Sequence, residues 1–205
     1  MAKISNIPTS RLEGLTDAIF GVAMTILVLS IEVPTPGTLG IDGINVYLLK
    51  LIPTLSIYAI SFLLLGCFWI AHHSFFLINK IDEFLLWINI LWLMAICLIP
   101  FSVSLVSSYG ASIIANLFFA SNMIIIGILY FFNIAYAYKK GFFIKDLNFN
   151  LRILIGFSIF IILISIIDIV ISFINPVYNK FFYLLIPLFT FLSSRYFYKI
   201  KFFSR

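Results

Sequence analysis

Asp17, His72, His73, Asn89 and Asp168 are the residues of this 205-residue chain whose types could do chemistry inside an apolar medium. A carboxylate can pair with a cation or an imidazole, an imidazole can relay a proton or ligate a metal, and an amide can bridge them. Asp17 follows Arg11 by six residues. His72 and His73 close an uncharged run inside Trp69-Ile-Ala-His-His-Ser-Phe75. Asn89 lies two turns into the next apolar run. A structural clamp between helices, a proton relay and a metal site are all compatible with this set. Adjacent histidines project about 100° apart on a helix, so His72 and His73 do not easily share one ion. GxSxG and HExxH patterns do not occur, which removes the familiar hydrolase signatures. No catalytic residue and no metal ligand set is therefore expected.

The elements that position these groups follow from composition. Hydrophobic residues make up 63% of the chain and charged residues 10%. The mean hydropathy is +1.16. A soluble domain carries about 25% charged residues, so this chain reads as a polytopic α-helical membrane protein. Polar alternation of the kind a β-barrel needs is absent. Cys67 and Cys97 sit inside apolar runs, without metal or redox spacing. The first residues are polar and no clean cleavage site follows them, so the first apolar run reads as an uncleaved span.

A helix needs about 20 apolar residues to cross the hydrocarbon core. The pattern predicts six spans in one domain, at about 14–33, 46–76, 84–106, 113–138, 151–174 and 177–198. Pro34 and Pro36 are expected to stop the first, and Ser107–Ser112 to separate the third from the fourth. With the N-terminus inside, every Lys and Arg except Lys50 and Lys180 falls on an inner segment. That asymmetry places both termini in the cytoplasm. The net charge of +5 is then a topology signal, and nucleic acid is not an expected partner.

In the first span Val22, Thr25, Ile26 and Leu29 follow i, i+3, i+4, i+7 and share one face. Such a stripe packs against other helices, or lines a pore that gates by dewetting and carries a hydroxyl ring. Periodicity leaves both open. Asp168, near the outer end of the fifth span, is either a coupling carboxylate of a transporter or a group reaching the interface.

The motifs carry a resemblance. Arg11-Leu-Glu-Gly-Leu-Thr-Asp17 resembles the RxxxFSD signature of the endolysosomal potassium channel family, the transmembrane protein 175 type. Trp69-Ile-Ala-His-His-Ser-Phe75 is similar to the end of that family's second helix. Asn89 with Pro100-Phe101 is similar to its third. The agreement covers roughly residues 8–105. Leu15 and Thr16 replace the family's Phe and Ser, and Val22 stands where Ile or Leu is usual. The resemblance implies the prokaryotic single-repeat branch: six helices per chain, a homotetramer in the cell membrane, and a pore lined by the first helices without a TVGYG filter. It implies an aliphatic constriction at Val22, Ile26 and Leu29, a selectivity hydroxyl at Thr25, and a brace of Arg11, Thr16, Asp17, Trp69, His72, His73 and Asn89. Glu32 and Asp42, the acids of the first outer loop, would concentrate cations at the mouth. The expected function is passive conduction of K+ and other monovalent cations in the lipid bilayer, with no organic cofactor. The alternatives are a proton-coupled transporter using Asp17 or Asp168, and a histidine-based membrane enzyme.

Overall fold

The computed structural model describes residues 8–34, 41–73, 78, 80–143, 148–176 and 179–193. The fold is all-α. Helix α1 runs Thr9–Val28, α2 Ile41–His73, α3 Glu83–Cys97, α4 Ile99–Ser108, α5 Ile113–Lys139 and α6 Asn148–Ser172. The last apolar helical segment, α7, Lys180–Ser193, is wound as a 3₁₀ helix over Asn179–Leu184 at its start. Four stretches are long and apolar enough to cross a membrane: Gly43–His73, Glu83–Ser108, Ile113–Lys139 and Leu151–Ser172. Helix α1 is less suited to lipid, because Arg11, Glu13 and Asp17 occupy its first half. The sixth expected span is seen only as α7, and residues 194–198 lie outside those described.

Each end has a local cause. Helix α1 begins directly after Pro8, whose extended backbone (ψ 138°) starts the first turn. It ends at Val28, well before Pro34, where Leu29 and Ser30 close 3₁₀-type turns onto Ile26 and Leu27 carbonyls. The expected stop at the prolines is therefore replaced by an earlier one. Asp82 caps α3 by accepting from the Leu85 N–H at 2.9 Å. The third span is one rod broken at Leu98, because Pro100, at the start of α4, has no N–H to continue the ladder. Helix α5 ends in a Schellman turn. Phe142 N–H reaches the Ala137 carbonyl at 3.0 Å, and Gly141 takes φ +65°, which a side chain would strain. An antiparallel bridge between Ile78 and Phe143 then joins the α2–α3 and α5–α6 connections.

The core lies where α5 packs on α3, α4 and α6, with α1 and α2 closing over α3 and α4. The α5–α6 seam is the tightest contact. A Cβ on Gly127 would stand 2.8 Å from Ile162 Cγ1 and 3.2 Å from the Ser158 carbonyl. Close backbone approach through small residues is how helices associate when lipid removes the hydrophobic drive between them. Ser158, Ser165 and Ser172 recur every seven residues on α6, all buried, each bonded to its own helix at 2.7–2.8 Å. Each of these hydroxyls thereby donates its hydrogen to a carbonyl of α6 itself.

Gly127→Ala should lower the thermal unfolding midpoint of the detergent-purified protein, since overpacking costs about 1–3 kcal/mol. Gly156→Ala, with nothing within 4 Å of the added carbon, should not lower it. Equal midpoints for the two variants would show that the α5–α6 seam yields.

Candidate functional site

Helix α1 has two faces of opposite character. Leu12, Thr16, Phe20, Ala23 and Leu27 are buried against the bundle. On the other side Val22 is 57% exposed, Ile26 44% and Leu29 77%. Thr25 is exposed between them, its hydroxyl donating to the Gly21 and Val22 carbonyls at 3.0 and 2.9 Å. With its hydrogen turned into the helix, the Thr25 oxygen keeps its lone pairs for whatever passes outside. The whole aliphatic and hydroxyl stripe therefore lies on one uncovered surface of the chain. Val22, Ile26 and Leu29 also form one wall of an open apolar groove of ≈ 360 Å³, whose other wall is Cys97, Pro100, Phe101 and Ser104 at the α3–α4 break.

The polar residues form two separate pairs. Trp69 Nε1 donates to Asp17 Oδ1 at 2.8 Å, tying α2 to α1. His72 Nε2 meets Asn89 Oδ1 at 3.1 Å in the interior, tying α2 to α3. Trp69 and His72 are one helical turn apart, so one stretch of α2 holds both neighbours. Asp17 thus takes an indole N–H where a cation or imidazole was expected. It also stands at the surface, so the pair is no buried ion pair. Thr16 is buried but directs its hydroxyl to the Leu12 carbonyl at 2.9 Å, inside α1. Arg11 is exposed and joins neither pair. His73 is exposed too, its ring 6.1 Å from that of Trp69.

The remaining candidates lie elsewhere. Asp168 is buried, and Tyr183 Oη donates to its Oδ2 at 3.3 Å, joining α6 to α7. Glu32 is exposed beyond the end of α1, and Tyr47 Oη donates to its carbonyl. The Asp42 side chain lies outside the described residues. Among the described residues, no three of His, Cys, Asp and Glu gather as a metal site would need.

Sequence reasoning missed the residue at the centre. Trp92 is fully buried and stacks on His72, with centroids 5.1 Å apart and planes at 12°. Phe20 of α1 and Tyr130 of α5 each lie 5.7 Å from it. Tyr130 Oη also donates to the Ala71 carbonyl at 2.8 Å. Asp82 accepts Tyr136 Oη at 2.6 Å besides capping α3. Trp92 stands three residues after Asn89, on the same face of α3, and that spacing was the available signal.

A family model described as "Endosomal/lysosomal potassium channel TMEM175" matches residues 11–100. A potassium channel of Streptomyces collinus is 31% identical over 102 residues, 49% of this chain and 48% of that protein. A potassium channel of Chamaesiphon minutus is 32% identical over 121 residues, 55% of this chain and 60% of that protein. The aligned stretches thus span about half the length of the curated relatives. The crystal structure of a lysosomal potassium-selective channel TMEM175 homolog from Chamaesiphon minutus superposes with TM-score 0.79 and 24% identity, over 91% of this chain and 97% of that one. The family resemblance read from the motifs is borne out over residues 11–100, and the fold over nearly the whole chain.

The two polar pairs should differ in weight. Asn89→Ala removes the amide held by His72 and opens space beside Trp92. It should cost about 1–3 kcal/mol in unfolding measurements. Asp17→Ala loses one bond at the protomer surface, and should cost about 1 kcal/mol or less in dissociated protomers. A larger loss from Asp17→Ala under those conditions would move the weight of the brace to the α1–α2 contact.

Proposed function

We propose that this protein is a potassium channel of the TMEM175 type, conducting K+ and other monovalent cations passively across the cell membrane of a prokaryote. The observation that carries this reading is the division of α1. One face is buried to the last few percent, and the opposite face leaves Val22, Thr25, Ile26 and Leu29 exposed. Arg11, Glu13 and Asp17 make α1 a poor lipid-facing helix. Rotational symmetry gives it another surrounding, with four copies of α1 around one axis in a homotetramer.

In this arrangement the aliphatic side chains form a neck. Water leaves a narrow apolar neck, and an ion cannot cross without its hydration, so the ring acts as the gate. The Thr25 oxygens supply a ring of lone pairs for a partly dehydrated cation. Glu32 and Asp42 place negative charge at the outer mouth, with both chain termini cytoplasmic. The sequence holds no TVGYG filter, so discrimination rests on this neck and hydroxyl ring. The protein carries out no bond-making chemistry, holds no organic cofactor or resident metal, and needs no nucleic acid.

Potassium flux from liposomes containing the purified protein tests the reading. Flux should follow the K+ gradient with no requirement for a proton gradient. Val22→Ser and Ile26→Ala should raise cation flux, and Thr25→Val should lower K+ preference over Na+. Phe20→Ala and Leu27→Ala should cost stability, about 3–5 kcal/mol for the Phe. Flux that requires a proton gradient and vanishes in Asp168→Asn would establish a coupled transporter instead.

A further inference from the structure

At the end of the bundle where α3 begins and α5 stops, the chain leading into α3 is fastened to the end of α5 at two points. Ile78 pairs with Phe143 in an antiparallel bridge. Asp82 Oδ2 accepts Tyr136 Oη at 2.6 Å. The register of the bridge sets Lys80 opposite Gly141, beside Lys139 and Lys140. Three exposed lysines are thus gathered in one place. A topology signal needs only their number on one side of the membrane, whereas the two fastenings bring them together. Asp82 is turned away from them, since its other oxygen accepts the Leu85 N–H. Glu83 follows in the first turn of α3, where the helix N-terminus already favours its charge. Among the described residues, none of the three lysines forms an ion pair. Lys140 Nζ stands 5.6 Å from the centre of the Tyr136 ring, a cation–π contact that holds it against α5. Phe84 and Tyr138, on the same end, are 58% and 56% exposed.

We propose that this end of the bundle binds the headgroup of an anionic glycerophospholipid. Lys80, Lys139 and Lys140 meet the phosphate, and Phe84 and Tyr138 lie against the glycerol and the first acyl carbons. The occupant is a lipid because of depth. Lys139 closes one apolar span and Glu83 opens another, so the ammonium groups stand where hydrocarbon gives way to headgroups. Exposed aromatic rings favour that same level. Clustered lysines beside a span attract anionic lipids, each adding about fivefold to the affinity. The site goes beyond the channel reading, uses no residue of α1, and stands or falls without reference to ion flux.

Native mass spectrometry of the full chain in neutral detergent, titrated with phosphatidylglycerol or phosphatidylcholine, tests it. Phosphatidylglycerol should bind in preference to phosphatidylcholine. The triple variant Lys80→Gln, Lys139→Gln, Lys140→Gln should weaken phosphatidylglycerol binding on the order of 100-fold. Lys80→Gln alone, which removes no contact within the chain, should weaken it about fivefold. Replacing the same three lysines by arginine should keep the binding. Lys199→Gln, Lys201→Gln, Arg205→Gln removes the same charge from the end of the chain and should leave it unchanged. An equal loss in the two glutamine triples would show diffuse attraction by net charge and overturn the proposal. So would equal binding of the two lipids. Full displacement of phosphatidylglycerol by millimolar inorganic phosphate would overturn it too, in favour of a site for a soluble anion.

Discussion

Aromatic rings from three other helices meet at Trp92, and the rest of the arrangement depends on that contact. His72 lies flat on the indole from α2, Phe20 leans on it from α1, and Tyr130 from α5. Aromatic pairs of this kind are worth about 0.5–1.5 kcal/mol each beyond the area they bury. Phe20 can reach Trp92 only when α1 turns its Leu12–Thr16–Phe20–Ala23–Leu27 face inward. Once that face is fixed, the opposite one is fixed too. The exposed stripe of Val22, Thr25, Ile26 and Leu29 is therefore a consequence of core packing.

The polar groups sharpen this orientation without creating it. His72 is locked between the Trp92 ring and the Asn89 amide. Trp69, a turn away, holds Asp17 at the surface. Hydroxyls inside the apolar region mostly bond to their own helices, as at Thr16, Thr25, Ser61 and Ser102. Backbone and side-chain polar groups must be satisfied within the protein where no water reaches. The break at Leu98–Pro100 opens the surface beside α1 and supplies the second wall of the groove.

Much of this was legible in the chain. The paucity of charge announced membrane helices, and their order followed from the apolar runs. The α1 stripe could be read from a period of 3.6 residues, although periodicity is blind to which face is covered. Helix ends were less legible. Pro34 drew the eye, yet α1 stops at Val28 through 3₁₀ turns that no residue type signals strongly. The brace was visible as residue types, but its pairing was not. Nothing in a sequence tells that Asp17 takes an indole while His72 takes an amide, because that depends on how α2 is rotated. Trp92 escaped notice for a related reason. A tryptophan in an apolar run looks like any other buried or interfacial ring until its neighbours from three other helices are in place.

The central claim is that the uncovered face of α1 borders water and its buried face does not. Cysteine scanning through Ala18–Leu29 during potassium current, in a Cys97→Ser background, tests this most directly. A charged, water-soluble thiol reagent should modify and block channels with cysteine at Ala18, Thr25 or Leu29. It should leave those with cysteine at Phe20, Ala23 or Leu27 unchanged. Block at Phe20, Ala23 and Leu27 with none at Thr25 would contradict the account and place the pore on the other side of the helix.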